Sequence, residues 1–483
     1  MKKIACLIYS ILFLAVCAVP GAMLLLTPSE ESTSEKRQLA EMPSFRDEEG
    51  NFNQNWNSEF QSYVSDHFGF RKNLVSIDSH LKADLLHVSA EEKVIIGKDG
   101  WLFYTPTVND FIGRATVSEL GIQNIRHNLE MMQEFTEQQG SQFVLAVVPN
   151  KNSVYAEYMP DNYYHNDCCN NDWNLHSALE TSPVNNVYLL SYFYDYAKYN
   201  MISEPFYHKQ DTHWNNTGAL IGYRAIMDAT GLEYNSYSDA EYHIEQNWKG
   251  DLQNMLFPDS GVLDENSVYD IDFNYTYQGR YNNSDDITIN TVNPSGTGSL
   301  LMFRDSFGAA VIPYFSQNFQ TARYSRSRPN PLYNLEISRF DVVILEIVER
   351  NIAWLQKEAP MHSALKADSV PEADSQGSAE YFTDQNGATY LQFYGTAELP
   401  EELITAPEYF FTLTDASGTA HSYRAYNCYE ADKLQSEEIL DNGWSLYIPT
   451  ADLTEQNYHL TLTVQLPEHC LFCDLGDFSP NFS

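Results

Sequence analysis

The chain has 483 residues, with 28 Lys or Arg against 66 Asp or Glu and a formal net charge of −38. That balance excludes a grip on nucleic acid, which needs a cationic surface, and an anionic membrane or polymer would be repelled unless a local patch departs from the average. A hydrophobic share of 43% excludes global disorder, and the length suits two or three domains of ~100–200 residues each. The 33 tyrosines fit carbohydrate-facing surfaces, since each offers a flat apolar face and a hydroxyl, and fit ordinary packing equally well.

Behind Met1-Lys2-Lys3, the chain runs without charge from Ile4 to Leu26, matching the ~20 residues that cross a bilayer. Lysines before the run and Glu30, Glu31 and Glu35 after it orient the remainder outward. Residues 1–28 are therefore expected to be a single-pass anchor, or alternatively a cleaved signal that releases a secreted protein. Residues 29–50 read as a tether. Helical spacing recurs in Phe52, Trp56, Phe60 and Val64 and again in Leu74, Ile77, Leu81 and Leu85. A hairpin follows: Val94-Ile95-Ile96, a turn at residues 97–100, then Trp101-Leu102-Phe103-Tyr104.

From there the rhythm is α/β. Ile122, Ile125, Leu129, Met132 and Phe135 make a helical stripe stopped by Gly140. Residues 143–148, 187–190, 299–303 and 342–347 are continuous apolar runs, the pattern of strands buried on both faces, and Leu220, Ile221, Tyr223, Ile226 and Met227 form another helix face. The fold class expected is α/β, a parallel sheet covered by helices on both sides. Residues 358–377 are rich in Pro, Ser, Asp and Ala and read as a linker. Beyond them the period becomes two, which predicts a small all-β, sandwich-like accessory domain over residues 378–483, separable from the rest.

Of the seven cysteines, Cys6 and Cys17 fall in the apolar run, leaving Cys168, Cys169, Cys428, Cys470 and Cys473. An odd number excludes a disulfide framework, and Cys470-Leu-Phe-Cys473 lies in a β-rich tail with no second such pair to complete a zinc site.

Two segments carry chemistry. Ser306 follows the strand ending at Phe303, so it sits on a strand-to-helix turn at the mouth of an α/β crevice. Asp211 and His213 are two apart, so in an extended segment both side chains point the same way, and a carboxylate beside an imidazole is what a serine nucleophile needs. Helix capping would suit Asp211 and Ser306 equally by residue type. His208, Asp211 and His213 have the types of metal ligands, but no fourth is evident on so short a segment; no metal and no cofactor is expected.

These residues, taken together, resemble the SGNH/GDSL hydrolase superfamily, and within it the alginate O-acetyltransferase-like branch and its DHHW-motif relatives. The resemblance rests on Arg37-Gln38-Leu39-Ala40, Asp66-His67-Phe68-Gly69-Phe70-Arg71, Gly97-Lys98-Asp99-Gly100-Trp101, Pro149-Asn150-Lys151, Asp211-Thr212-His213-Trp214, Arg304-Asp305-Ser306-Phe307-Gly308 and Glu346-Ile347-Val348-Glu349-Arg350. The order Asp, His, Ser and the spacing Asp-x-His depart from ordinary SGNH hydrolases and match that branch, while Thr212 replaces a histidine of the DHHW signature.

The resemblance implies an SGNH-like α/β/α acyltransferase domain over residues 51–357. Ser306 would be the nucleophile, His213 the general base and Asp211 its orienting carboxylate. Asn150 is the candidate for the superfamily's oxyanion Asn, with Arg304 and Phe307 as further candidates for substrate or oxyanion contact. Glu346 and Arg350 are expected either to line the crevice or to form an ion-pair set with Arg304. The expected activity is O-acetylation of a cell-surface or secreted polysaccharide, with a membrane-bound O-acyltransferase as acetyl-donating partner. An esterase on the same triad is the alternative, and a non-catalytic envelope protein that binds glycan is the alternative of another class.

Overall fold

The computed structural model describes residues 9–11, 13, 14, 40–46, 50–67, 71–86, 88–114, 117–165, 169–200, 204–258, 260–386, 389–434 and 440–480. Apart from residues 9–11, 13 and 14, the anchor or signal expected over residues 1–28 lies outside them, as does most of the tether over 29–50. No described helix is long and apolar enough to cross a membrane.

The N-terminal helices form at Trp56–His67 and Arg71–Leu81. The hairpin pairs Val94–Ile96 with Leu102–Tyr104, and its turn places Asp99 and Gly100 at φ 52° and 81°.

The centre of the molecule is a seven-stranded sheet in the order Asn186–Tyr188, Gln142–Val148, Val342–Val348, Ser299–Phe303, Thr321–Ser325, Thr288–Val292 and Thr276–Gln278. The first five strands are parallel, but the last two are antiparallel, so the sheet is mixed rather than parallel throughout. The antiparallel edge escaped the sequence reading because Thr288–Val292 buries only alternate residues and shows no continuous apolar run. The run at 187–190 is also shorter as a strand than expected: Leu189 already opens the helix Leu189–Asn200, where Leu189 and Phe193 bury one face.

Strand periodicity divides the core in two. Val144, Ala146 and Val148 pack with Met302 and the helix Asn216–Thr230 on one side. Phe143, Leu145 and Val147 pack with Phe303 and the helix Glu119–Gln138 on the other. That second helix is capped by Ser118 Oγ, which accepts the Gly121 N–H at 2.8 Å, and the chain leaves it through Gly140 at φ 77°.

The C-terminal region is a β-sandwich. A five-stranded sheet (Ser375–Gln376, Cys470–Phe478, Tyr458–Gln465, Glu408–Asp415, Ala420–Ala425) faces a three-stranded one (Ala379–Asn386, Tyr390–Ala397, Gly443–Pro449) across a core that includes Phe393, Phe411, Trp444 and Leu462. Cys470 and Cys473 are free thiols three apart on one strand, hence on opposite faces, which is no redox geometry.

The expected linker is not a free tether in its first half. Ala359, His362 and Leu365 are buried, and the Ala364 N–H donates to Tyr447 O at 2.8 Å. Tyr390, Tyr426, Cys428 and Tyr447 of the sandwich region join the same apolar core as Ile125 and Leu129. Asn128 Nδ2 reaches Asn427 O at 3.1 Å, and the Asn427 N–H returns to Asn128 Oδ1 at 2.8 Å. The sandwich therefore roofs the outer face of the helix Glu119–Gln138.

Candidate active site

Three adjacent parallel strands end at Val148, Phe303 and Val348, and the motifs Pro149-Asn150-Lys151, Arg304-Asp305-Ser306 and Glu349-Arg350 follow them directly. Open α/β sheets place their chemistry at this carboxyl edge.

The segment 208–214 is held from below by Lys151. Its buried ammonium donates to the carbonyls of His208, Lys209 and Asp211 at 3.2, 3.0 and 2.6 Å. Burial, against the charges of Asp211, Asp251 and Asp264, brings this lysine down to about 8. At the other end, Trp214 is fully packed because the helix behind it offers glycine: a Cβ on Gly222 would meet the indole at 2.7 Å. Trp214 Nε1 donates to Phe307 O at 3.0 Å, tying the histidine segment to the serine turn.

The serine turn is fixed by Asp305. Its Oδ1 accepts the Phe307 N–H at 2.9 Å, and its Oδ2 accepts the Val348 N–H at 2.9 Å and Asn351 Nδ2 at 3.0 Å. Gly308 is required at close quarters, since a Cβ there would meet Glu346 Oε2 and Arg304 Cβ, each at 2.7 Å. Ser306 stands at the start of the short helix Phe307–Val311 without capping it through its side chain. Asn215 Oδ1, not Asp211, caps the helix Asn216–Thr230 by accepting the Gly218 N–H at 3.0 Å.

Both hydroxyl and carboxylate are thus free for each other through the imidazole. His213 Nδ1 lies 2.7 Å from Asp211 Oδ1, and its Nε2 lies 2.9 Å from Ser306 Oγ. With the proton on Nδ1, as its carboxylate partner favours, Nε2 accepts from the serine hydroxyl. Asp211 Oδ2 accepts from Trp248 Nε1 at 3.0 Å and from the Asp251 N–H at 2.9 Å. Burial would raise Asp211, but the hydrogen bonds and charge of His213, with the Asp251 N–H, outweigh it and hold the carboxyl well below its usual range. Burial would likewise lower His213. The hydrogen bond and charge of Asp211 and the charge of Asp251 overcome it, so the imidazole titrates above its ordinary value.

A cavity of about 650 Å³ opens on Ser306 and His213, walled by Arg304, Arg326, Arg328 and Arg350. A second, of about 430 Å³, meets the same pair from the side of Trp248 and Ala310. Arg304 is spent on the carbonyls of Ser284 and Asp305 at 2.6 and 3.1 Å, and Arg326 on Asp285 at 2.9 Å. Arg350 lies over the rings of Phe307 and Tyr104, 5.1 and 5.7 Å from their centroids, and has no hydrogen bond or ion pair among the described residues.

The candidates therefore separate. Asp211, His213 and Ser306 converge, Arg304 lines the larger cavity and Phe307 the smaller. The Phe307 N–H is committed to Asp305, which removes it as an oxyanion donor. The Ser306 N–H has no partner among the described residues and is the better donor. Asn150 belongs elsewhere: it lines neither cavity, and its N–H donates to Glu349 Oε2 at 2.7 Å within a buried cluster. The Arg304, Glu346 and Arg350 side chains form no ion-pair set among the described residues; Glu346 instead accepts the Asp305 N–H at 3.1 Å, its carboxyl raised by burial and the Asp305 charge. His208 turns away to Glu265 O at 3.1 Å and stacks on Trp248. Asp211, His213 and Asp251 bring oxygen and nitrogen atoms within 4.8 Å of one another, but those atoms are already bound to Thr212, Trp248, Ser306 and each other. Asp251 was missed by the sequence reading, as no spacing rule links it to a histidine 38 residues earlier; the local signal is only Gly250 before the helix Asp251–Leu256.

Residues 94–268 match the family model described as the SGNH hydrolase-like domain of acetyltransferase AlgX, so this stretch is similar to the class its motifs resembled. Asp211 and His213 fall inside that match and Ser306 beyond it. Among curated proteins the chain is similar to the probable alginate O-acetylase AlgJ of Pseudomonas syringae, 24% identical over 258 residues, 52% of this chain and 60% of that protein. It is also similar to AlgJ of Pseudomonas putida, 28% identical over 171 residues, 34% of this chain and 42% of that protein. The chain thus matches less than two thirds of the length of either relative. Among solved structures, Bacillus cereus PatB1 aligns at 20% identity and TM-score 0.44, covering 54% of this chain and 97% of that one. The O-acetyltransferase domain of Pseudomonas putida AlgJ aligns at 19% identity and TM-score 0.37, covering 54% and 92%.

Proposed function

We propose that this chain is an SGNH-type O-acetyltransferase that modifies a polysaccharide outside the cytoplasm through an acyl-serine intermediate. The observation that carries the reading is the continuous hydrogen-bonded chain from Asp211 through His213 to Ser306 at the carboxyl edge of the sheet. Ser306 Oγ bonds to the acetyl carbonyl carbon as its proton passes to His213 Nε2. The donor's ester C–O bond then breaks, and its oxygen leaves with that proton. In the second half, an acceptor hydroxyl gives its proton to Nε2 and attacks the acyl-serine, and Ser306 Oγ departs with the proton. Asp211 keeps the imidazole oriented throughout and stabilises its cation.

The acceptor we infer is an anionic polysaccharide. The free guanidinium of Arg350 on a wall where Arg304, Arg326 and Arg328 stand beside Asp251, Asp285, Asp305 and Glu346 supports that, as do relatives named for alginate. Membrane anchoring through residues 1–28, or secretion after cleavage there, would place the site outside, with a membrane-bound O-acyltransferase supplying acetyl groups. An esterase, with water replacing the acceptor, uses the same residues.

The test supplies a small acetyl ester with and without alginate as acceptor and follows acetylated glycan and free acetate together. Acetylated glycan is expected, and Ser306→Ala should lower both products at least ~10³-fold with an unchanged melting temperature. Acetate alone, whatever the acceptor, would make the protein an esterase. Undiminished turnover in Ser306→Ala would overturn the reading altogether.

A further inference from the structure

The Asp211–His213 dyad is enclosed by a second carboxylate. Asp251 opens the helix Asp251–Leu256, and that helix start lies directly against the histidine segment because Gly250 precedes it. A Cβ on Gly250 would stand 2.2 Å from Gln210 O, so no larger residue permits the approach. Three hydrogen bonds result. The Thr212 N–H donates to Asp251 Oδ1 at 2.8 Å, the Thr212 hydroxyl donates to Asp251 Oδ2 at 2.7 Å, and the Asp251 N–H donates to Asp211 Oδ2 at 2.9 Å. The Thr212 hydroxyl oxygen is also 3.2 Å from His213 Nδ1, and Asp251 Oδ2 is 3.9 Å from the same nitrogen.

We propose that Asp251 is a positioning residue of the acyl-transfer site, holding the Asp211-Thr212-His213 segment extended through Thr212 and adding a second negative charge beside His213 Nδ1. The inference rests on the acyl-serine reading above. The geometry gives each atom a task. Asp211 takes the shorter Nδ1 hydrogen bond, 2.7 Å against 3.2 Å to the Thr212 hydroxyl, while Asp251 fixes the intervening residue so that His213 stays turned toward Ser306. A cation forming on the imidazole as it takes the serine proton then faces two carboxyl groups rather than one; burial and the Asp211 charge raise Asp251, while the His213 charge and the Thr212 hydrogen bonds favour its ionised form. The other charged groups near the ring are Arg350, which opposes that cation from the cavity side, His208, and Lys151 beneath the segment.

The experiment measures sulfonylation of Ser306 by phenylmethanesulfonyl fluoride in the full chain, alongside small-ester kinetics, from pH 5 to 9. Sulfonylation reads the base strength of His213 without needing any acceptor or transfer. In the wild type, its rate should rise with pH through a midpoint above ~6.5, the ordinary histidine value. Asp251→Asn removes the charge with nearly the same shape. Its midpoint should fall by about one pH unit, kcat on the ester should fall roughly tenfold, and KM should stay within about twofold. Thr212→Val removes the hydroxyl hydrogen bond to Asp251 Oδ2 while the backbone N–H bond and both charges remain: kcat should fall several-fold with the midpoint less moved than in Asp251→Asn. An unmoved midpoint and unchanged kcat in Asp251→Asn, with only the melting temperature lowered, would overturn the proposal. If that variant does not fold, wild-type kcat in Thr212→Val would overturn it instead. Failure of wild-type Ser306 to be sulfonylated at all would count against the acyl-serine reading, not against Asp251 specifically.

Discussion

Arg350 is the cation the site leaves unspent. Its guanidinium rests on Tyr104 and on Phe307, the residue after Ser306, while Arg326 is paired and Arg304 is tied to backbone. A planar fork of donors facing a cavity matches a carboxylate, and one charge-assisted hydrogen bond is worth about 1.5–3 kcal/mol. Arg350→Gln should therefore raise KM for an anionic acceptor roughly tenfold or more, with a smaller effect on a neutral acetyl ester. The same cation opposes protonation of His213. Its loss should move the acidic limb of the rate profile to higher pH, opposite in sign to Asp251→Asn. Equal losses on both substrates with an unmoved limb would mean that Arg350 serves packing alone. For stability, the signs of the dyad differ. The raised His213 contributes most below ~6.5 and loses that contribution as pH climbs through its folded value. The depressed Asp211 contributes fully above ~3.9 and loses it only in strong acid.

At the scale of elements, the helix Asn216–Thr230 aligns the site without contributing to its chemistry. Gly218 and Gly222 lie four apart on one face and form the notch that admits Phe206 O and the Trp214 indole. Trp214 in turn fixes the serine turn through Phe307 O. Gly222→Val improves helix propensity slightly, so any loss it causes reports the notch. It should destabilise by about 1–3 kcal/mol through overpacking and lower kcat by displacing Trp214, checked by thermal denaturation and ester turnover on the same preparation. Unchanged melting and turnover would mean that the indole has other room.

For the whole molecule, the β-sandwich shares an apolar core with the α/β region beside the candidate site. It buries Asn124 and Asn128 of the helix Glu119–Gln138 and answers their polar groups with Asn427. Asp441 accepts from Ser118 Oγ at 2.6 Å, and Asn128 Nδ2 also meets Leu355 O at 3.0 Å. Truncation after Lys366 would uncover that apolar face and strand several buried groups, each costing about 1–3 kcal/mol. The truncated protein should melt well below the full chain and lose soluble small-ester activity. Retention of both would restore the separable accessory domain expected from the change of period.

The amino-acid sequence by itself determined the buried strands at 143–148, 299–303 and 342–347, the helices that flank them, and the positions of Asp211, His213 and Ser306. Each of these rests on local chemistry: apolar runs that must be covered, a glycine stop, a pair of side chains two apart on an extended segment. The antiparallel edge of the sheet was not legible, since Thr288–Val292 buries alternate residues too briefly to stand out and Thr276–Gln278 buries none. Nor was the fate of Asn150, whose N–H is captured by Glu349, just past the end of a strand and 199 residues away in sequence. Asp251, the unspent Arg350 and the roof over the helix Glu119–Gln138 came only from tertiary structure. Their roles depend on distances between segments remote along the chain, and close packing, not local periodicity, decides which buried polar groups meet.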